Sequence, residues 1–219
     1  TRGNIMTPRE KIHQAFEKYP KRSYPKGQIF IFPDETPNHL MYIIKGRVRS
    51  YDVSYRGSEI IVYVFKPPAF FPLSIALNDF QNRYFYKAEI DSEVRLIPKD
   101  EAVKFIKDNP DVMYELLCSV YRGVEVMLGR NVQLMSGSAS SILIFEILNE
   151  CRYFATKLDD GSCQLTASET DLAARTGLSR ETINREIHKL KKLGLVKVTK
   201  TGINVPSSEK LQAKFDSKK

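Results

Sequence analysis

Arginine can bond in a fork to the O6 and N7 of guanine, and a carboxylate can accept from the N4 amine of cytosine. Arg180, Glu181 and Arg185 stand at i, i+1 and i+5 in Ser179-Arg-Glu-Thr-Ile-Asn-Arg185, which puts them on one side of a helix. Their chemistry is that of reading base edges in DNA. Glu181 is the informative member, because phosphate repels an acidic side chain. A carboxylate on a DNA-facing surface is explained by a base contact or by orienting an arginine. The bland alternative is a solvated face with an intrahelical Glu181–Arg185 pair, and the elements around the segment argue against it.

Other reactive residue types are scattered. Cys118, Cys151 and Cys163 are an odd number without CxxC spacing, so neither a disulfide framework nor a zinc or iron–sulfur cradle is indicated. They read as ordinary thiols, with redox sensing by one of them as the alternative. His13, His39 and His188 lie far apart and form no ligand pair, so no metal is expected. A phosphate-cradling glycine loop and a nucleophile with a neighbouring histidine are both missing, which argues against an enzyme and against a cofactor.

Net charge is +8 and the pI about 9.3, which favours polyanionic partners. Between Arg175 and Lys200 eight basic residues face two acidic ones, so most of the excess sits in one short window. Within it, Thr166-Ala-Ser-Glu169 fits a capping box and predicts a helix from Ala167 to about Arg175. Gly177 stops that helix, and Ser179 caps a second one after a tight turn, as a helix-turn-helix requires. Ile183, Ile187 and Leu190 fall at i, i+4 and i+7 as a buried stripe, opposite Arg180, Glu181, Asn184, Arg185 and His188. Leu193 to Val198 and Ile203 to Val205 flank Thr199-Lys-Thr-Gly202 as a hairpin wing. Lys197 and Lys200 are assigned to phosphate, with Thr166, Ser168, Ser179, Thr182, Asn184 and His188 as secondary DNA contacts.

The rest of the chain must position this segment. No stretch approaches the ~20 apolar residues of a membrane span, and the basic start (Arg2, Arg9, Lys11) is not followed by a signal-peptide apolar block. A soluble, cytoplasmic protein is expected. Thr1 to Asn4, ahead of Met6, read as an extension or a cloning remnant, and a weak helical pattern surrounds Ile12, Ala15 and Phe16. From Gln28 to Ile97, β-branched and aromatic runs (28–32, 41–44, 48–53, 59–65, 93–97) alternate with turn formers, which predicts an all-β sandwich or jelly-roll barrel. A short helix follows over Asp100 to Lys107, and Pro110 opens a long one. On that helix Leu117, Tyr121, Val124, Leu128, Asn131 and Met135 repeat with 4-3 spacing. Such a seam pairs with its own copy, and Asn131 would fix register; a helix packed only on its own domain is the alternative. Gly123 and Gly129 weaken the helix or mark close backbone approach. Ser136 to Ser141 has a hinge composition, and an amphipathic helix over Ile142 to Leu158 leads into a turn and a short strand. The resulting division is 1–109, a β-roll sensor-like domain; 110–137, a dimerisation helix and hinge; and 138–219, a winged helix-turn-helix.

This layout resembles the CRP/FNR superfamily of bacterial transcription regulators over roughly residues 20 to 206. Thr176-Gly-Leu-Ser-Arg-Glu-Thr-Ile-Asn-Arg185 is similar to the family's recognition segment. Gly27, Tyr42-Ile-Ile-Lys-Gly46, Gly57-Ser-Glu59, Asn109-Pro-Asp111 and Gly194-Leu-Val196 also match. The resemblance implies an α+β chain with an amino-terminal β jelly-roll, cupin-like and cyclic-nucleotide-binding-like, a long dimerisation helix and a winged helix-turn-helix. It further implies a homodimer on a palindromic operator of double-stranded DNA with TGTGA-like half-sites, Arg180, Glu181 and Arg185 as base readers, and RNA polymerase as a partner in activation.

The effector pocket departs from the family. Cyclic-AMP binders carry F-G-E-L and, about ten residues on, Arg-Ser or Arg-Thr; here the segments are Phe71-Pro-Leu-Ser74 and Arg83-Tyr84. The glycine and the ribose-binding glutamate are absent, and the polar pair of the long helix corresponds to Met127 and Leu128. A buried phosphate would lack most of its donors, so cyclic AMP is not expected. An unidentified small molecule, or none, remains, with Phe71, Leu73, Ser74, Arg83, Tyr84 and Met127 as pocket candidates; core packing around a filled vestigial site is the main alternative for this aromatic-rich stretch. No cysteine precedes Cys118, against the iron–sulfur branch, and haem lacks a ligand pair, His39 being the imidazole left open for it. The competing function is a ligand-binding or protein-interaction module whose carboxy-terminal helices dock a protein. Against it, the Arg-Glu-Arg face exposes no apolar anchor.

Overall fold

Alternating aromatic and β-branched residues build the first half of the chain, and periodic apolar helices build the second. The computed structural model describes residues 6–55, 57–78 and 80–217; Thr1 to Asn4, Arg2 among them, lie outside the described residues. The chain divides into two compact units, Thr1–Tyr121 and Arg122–Lys219.

In the first unit α1 (Pro8–Phe16) starts at a Thr7–Glu10 capping box. Then come β1 (Lys21–Tyr24), β2 (Ile29–Ile31), β3 (His39–Val53), β4 (Glu59–Phe65), β5 (Phe70–Phe71), α2 (Leu73–Asn78), β6 (Phe85–Pro98), α3 (Lys99–Asp108) and α4 (Pro110–Ser136). The strands form one antiparallel sheet in the order β1-β6-β3-β4, with β2 on β6 and β5 on β3. The 41–44 and 48–53 runs merge into β3 because Gly46, at φ 97°, carries the strand through its bend. A side chain there would overlap Ser92 Oγ, so only glycine permits this approach to β6. β6 begins eight residues before the expected run at Glu93. The polar residues that obscure it in sequence, Lys87 and Glu89, are paired: Glu89 holds Arg47 at 2.6 Å, and Glu59 holds both Lys87 and Arg49. Tyr24, Ile31, Ile43, Val48, Phe71 and Tyr86 form one apolar cluster; Phe16, Leu40, Phe70, Ile97 and Val112 form another with the helices.

The second unit contains the end of α4, then α5 (Ala139–Tyr153), β7 (Thr156–Lys157), β8 (Cys163–Leu165), α6 (Glu169–Thr176), α7 (Arg180–Lys192), β9 (Lys197–Thr199), β10 (Gly202–Val205) and α8 (Ser208–Asp216). A four-stranded antiparallel sheet, β7-β8-β10-β9, closes against the helices. Of the Ser136–Ser141 segment only Gly137 and Ser138 lie outside helices: Ser138 caps α5, which starts at Ala139 and not at Ile142. It ends at Tyr153, before Leu158, because Thr156 and Lys157 pair with β8. α2, β1, β5 and α8 have no counterpart in the sequence reading. Among the described residues no helix is long and apolar enough to cross a membrane.

Candidate nucleic-acid interface

The helix-turn-helix is assembled by caps. Ser168 Oγ accepts from Asp171 N at 3.1 Å, and Asp171 Oδ2 accepts from Ser168 N at 3.0 Å. The capping box is therefore Ser168–Asp171, a correction to the Thr166–Glu169 expectation. Both quartets fit the pattern, but Ala167 is needed in the apolar core and is 1% exposed, which keeps the backbone extended to Ser168. α6 ends on Gly177 at φ 70°, whose N–H donates to Ala173, an αL stop that glycine adopts without strain. Ser179 then caps α7, accepting from Thr182 N at 3.1 Å.

α7 presents the two faces its spacing predicts. Ile183, Ile187 and Leu190 are buried in one cluster with Leu143, Ile144 and Leu172. Ser179, Arg180, Glu181, Asn184, Arg185 and His188 are exposed, and Thr182 is half-buried. Among the described residues Glu181 makes no ion pair with Arg185; the pairing of Arg185 is with Glu186, Nε to Oε1 at 3.7 Å. Glu186, which the sequence reading passed over, is buried and also holds Lys189 at 2.7 Å. Lys189, Lys191 and Lys192 fill the last turn of α7, where cations complement the helix dipole. With its amide nitrogen turned inward, Asn184 donates to Glu169 Oε2 at 2.6 Å. In the wing Lys197 and Lys200 are exposed, as is Thr166 beside it. The wing is seated by Gly202, at φ 138°, where a side chain would overlap Leu165 O.

An ionic cluster that the sequence reading missed joins α4, α5 and α6. Arg175 on α6 is hydrogen-bonded to Glu150 and stands 3.8 Å from Glu146, both on α5; Glu146 also holds Arg130 of α4 at 3.0 Å. Glu146 and Glu150, four apart on a helix otherwise dominated by Ile and Leu, were its visible signal.

α4 exposes a broad apolar face. Leu117, Val124 and Asn131 mark its centre at heptad spacing. One flank carries Met113, Val120, Met127 and Leu134, the other Tyr114, Tyr121, Leu128 and Met135; all are exposed.

The expected pocket residues are only partly brought together. Ser74, Arg83 and Tyr84 line a cavity of about 320 Å³ in the first unit with Ile75, Phe80, Gln81, Asn82 and Tyr86. Asn82 pins its loop by donating to Phe32 O and Tyr84 O at 2.7 and 2.9 Å. Burial pushes the Tyr86 hydroxyl up to about 12, so it stays a neutral donor. Phe71 is in the core, stacked on Tyr86 at 5.6 Å, and Leu73 packs on the cluster around Phe70. Met127 belongs to the second unit. Cys151 and Cys163 are core residues; burial and the adjacent Cys163 push the Cys151 thiol up to about 12. Among the described residues no three His, Cys, Asp or Glu side chains are grouped to hold a metal.

Two family models match the chain: a cyclic nucleotide-binding domain over residues 21–109 and a Crp-like helix-turn-helix domain over residues 144–214. The chain is 24% identical over 199 residues to the global nitrogen regulator of Synechocystis sp., covering 88% of this chain and 87% of that one. Its fold is similar to a CRP/FNR-family transcriptional regulator from Thermus thermophilus (TM-score 0.72, 20% identity, 91% of this chain and 100% of that one). It is also similar to a variant of CooA from Carboxydothermus hydrogenoformans (TM-score 0.78, 15% identity, 97% of each).

Proposed function

The chain belongs to the CRP/FNR superfamily of transcription regulators, and on that premise we propose that it reads a palindromic operator as a homodimer. Its helix-turn-helix is the DNA-binding element. The observation that carries the finer reading is the exposed Arg180–Glu181–Arg185 face of α7, free of apolar anchors and flanked by Lys197 and Lys200. The two arginines take guanines, and Glu181 takes a cytosine or holds an arginine, in half-sites similar to TGTGA. Ser179, Thr182, His188, Thr166 and Ser168 supply secondary or phosphate contacts, and Asn184 does so if it leaves Glu169.

The occupant of the α4 face is a second copy. Its heptad repeat around Leu117, Val124 and Asn131 suits a self-complementary helix pair, which would bring two recognition helices one DNA turn, ~34 Å, apart. In this reading 1–109 is the sensor-like part, 110–137 the dimerisation helix and 138–219 the reader. The protein acts in the cytoplasm, contacts RNA polymerase and activates transcription. Cyclic AMP is not the effector: among the described residues Arg83 is the sole cation lining the cavity beside Ser74, and Pro72 and Leu73 stand where the family's binders carry glycine and glutamate. An unidentified small molecule beside Tyr84 and Tyr86, or none, takes its place.

The test is selection of bound sites from a random duplex library by the purified, ligand-free protein at moderate salt. An enriched palindrome with a G·C-containing core supports the reading without an effector. Failure to enrich, both alone and with cell extract, by a folded dimer would overturn it.

A further inference from the structure

We infer that Arg130 and Glu146 are positioning residues for DNA recognition: they fix the angle between the end of α4 and the reading helices, and hence the separation at which a dimer's two reading heads meet DNA. This rests on the dimeric reading proposed above.

The two residues join elements with different tasks. Arg130 is in the part of α4 whose opposite side carries Val124, Leu128, Asn131 and Met135 of the exposed stripe. Its guanidinium grips Glu146 as a fork, Nη2 to Oε1 at 3.1 Å and to Oε2 at 3.0 Å, with Nε 3.3 Å from Oε2. Glu146 in turn faces Arg175 at 3.8 Å, and Arg175 bonds Glu150. The signs alternate, the four charges sum to zero, and the chain runs from α4 through α5 to α6, the first helix of the reading head. Glu146, Glu150 and Arg175 are 3%, 1% and 4% exposed.

Stability alone is a poor account of such a chain. Desolvation consumes much of the Coulombic gain, and apolar side chains of similar volume often hold helices together as well. What a forked ion pair adds is geometry: two parallel hydrogen bonds fix rotation as well as distance.

The backbone provides a second, independent observation. Immediately before Arg130, a side chain on Gly129 would meet Phe145 Cζ at 2.6 Å. Past the end of α4, one on Gly137 would meet Gln133 O at 2.5 Å and Ser141 Oγ at 2.7 Å. α4 and α5 are thus clamped at 129/145, 130/146 and 137/141. The segment whose composition reads as a hinge is the seat of the clamp, and the later part of the α4 seam and the reading head belong to one compact unit.

The test uses the full chain and synthetic duplexes carrying two copies of the selected half-site, their separation varied one base pair at a time, with a single-half-site duplex beside them. Wild type should favour one separation by about tenfold or more, that is ~1.4 kcal/mol. Arg130→Met should flatten that preference to about threefold or less while leaving single-half-site binding within about twofold, a split between geometry and contact. Arg130→Lys keeps the charge and loses the fork, and should give an intermediate profile. An unchanged spacing profile in Arg130→Met, with only a lower thermal midpoint, would show a structural strut and overturn the inference. If the Met variant does not fold, the Lys variant decides: a broadened profile supports the clamp, a wild-type profile overturns it. Wild type that binds neither duplex specifically would instead remove the DNA reading, and the clamp with it.

Discussion

With its amide nitrogen turned toward the carboxylate, Asn184 on α7 donates to Glu169 Oε2 at the start of the preceding helix, at 2.6 Å. The bond ties the middle of α7 to the first turn of α6, so the spacing of the two helices is set on the outside as well as by Ile183 and Leu172 inside. Asn184→Ala should lower stability by about 0.5–1.5 kcal/mol in denaturant titration, and the bases selected by Arg180 and Arg185 should not change. A changed base preference in site selection would make Asn184 a base reader.

Base reading and phosphate contact separate experimentally. Arg180→Ala should relax preference at one G·C pair, at a cost of about 1–3 kcal/mol, whereas Lys200→Ala should weaken all sequences alike and reduce the salt slope by about one. Equal losses on every duplex for both substitutions would remove the base-reading assignment.

The α4 stripe predicts an assembly defect without a folding defect. Leu128 is 53% exposed, so Leu128→Asp removes little from the unit that carries it, yet would place two carboxylates against each other in a paired seam. Sedimentation at micromolar concentration should show monomer with unchanged helical content. A dimer that persists would place the interface elsewhere.

These residues show which parts of the molecule are legible in advance. Recognition-helix spacing, Gly177, Ser179 and the wing are local signals, set by periodicity and by backbone conformations that few residues adopt. The α6 cap lies two residues beyond its expected place because two quartets satisfy the same pattern and only the burial of Ala167 chooses between them. β6 reads short in sequence because Lys87 and Glu89 hide a strand whose charges are neutralised by β3 and β4, partners more than twenty residues away. The Arg130–Glu146–Arg175–Glu150 chain escapes notice for the same reason: a charge on an apolar helix is intelligible only when its partner is in view.

Alkaline pH should weaken the fold in a traceable order. Burial and the Cys163 thiol raise Cys151 from 9.0 to about 12, and burial raises Tyr86 from 10.0 to about 12. Each group holds its proton more tightly folded than unfolded, so above its unfolded value the native state binds more protons and stability falls as pH rises. The contribution from Cys151 is intact below about pH 9 and is lost on the way to 12; that from Tyr86 begins a unit later. Cys151→Ala should therefore remove the decline that sets in near pH 9 and lessen it up to about 12, leaving the part that Tyr86 contributes from about pH 10. An unaltered slope in thermal melts would place Cys151 in contact with solvent.

Gly202 links the wing to the core through one close approach. Its φ of 138°, and a Cβ position that would overlap Leu165 O, leave no room for a methyl group. Gly202→Ala must therefore push β10 off β8, and with it the turn that carries Lys200. Strain and lost pairing together should cost about 1–3 kcal/mol of stability. The effect on DNA should resemble that of Lys200→Ala, a uniform loss of affinity with base preference retained, because Arg180, Glu181 and Arg185 are held by α7 and its own caps. If Gly202→Ala altered base preference at a G·C position as Arg180→Ala does, the wing would be orienting the recognition helix, and the division between phosphate contacts in the wing and base contacts on α7 would fail.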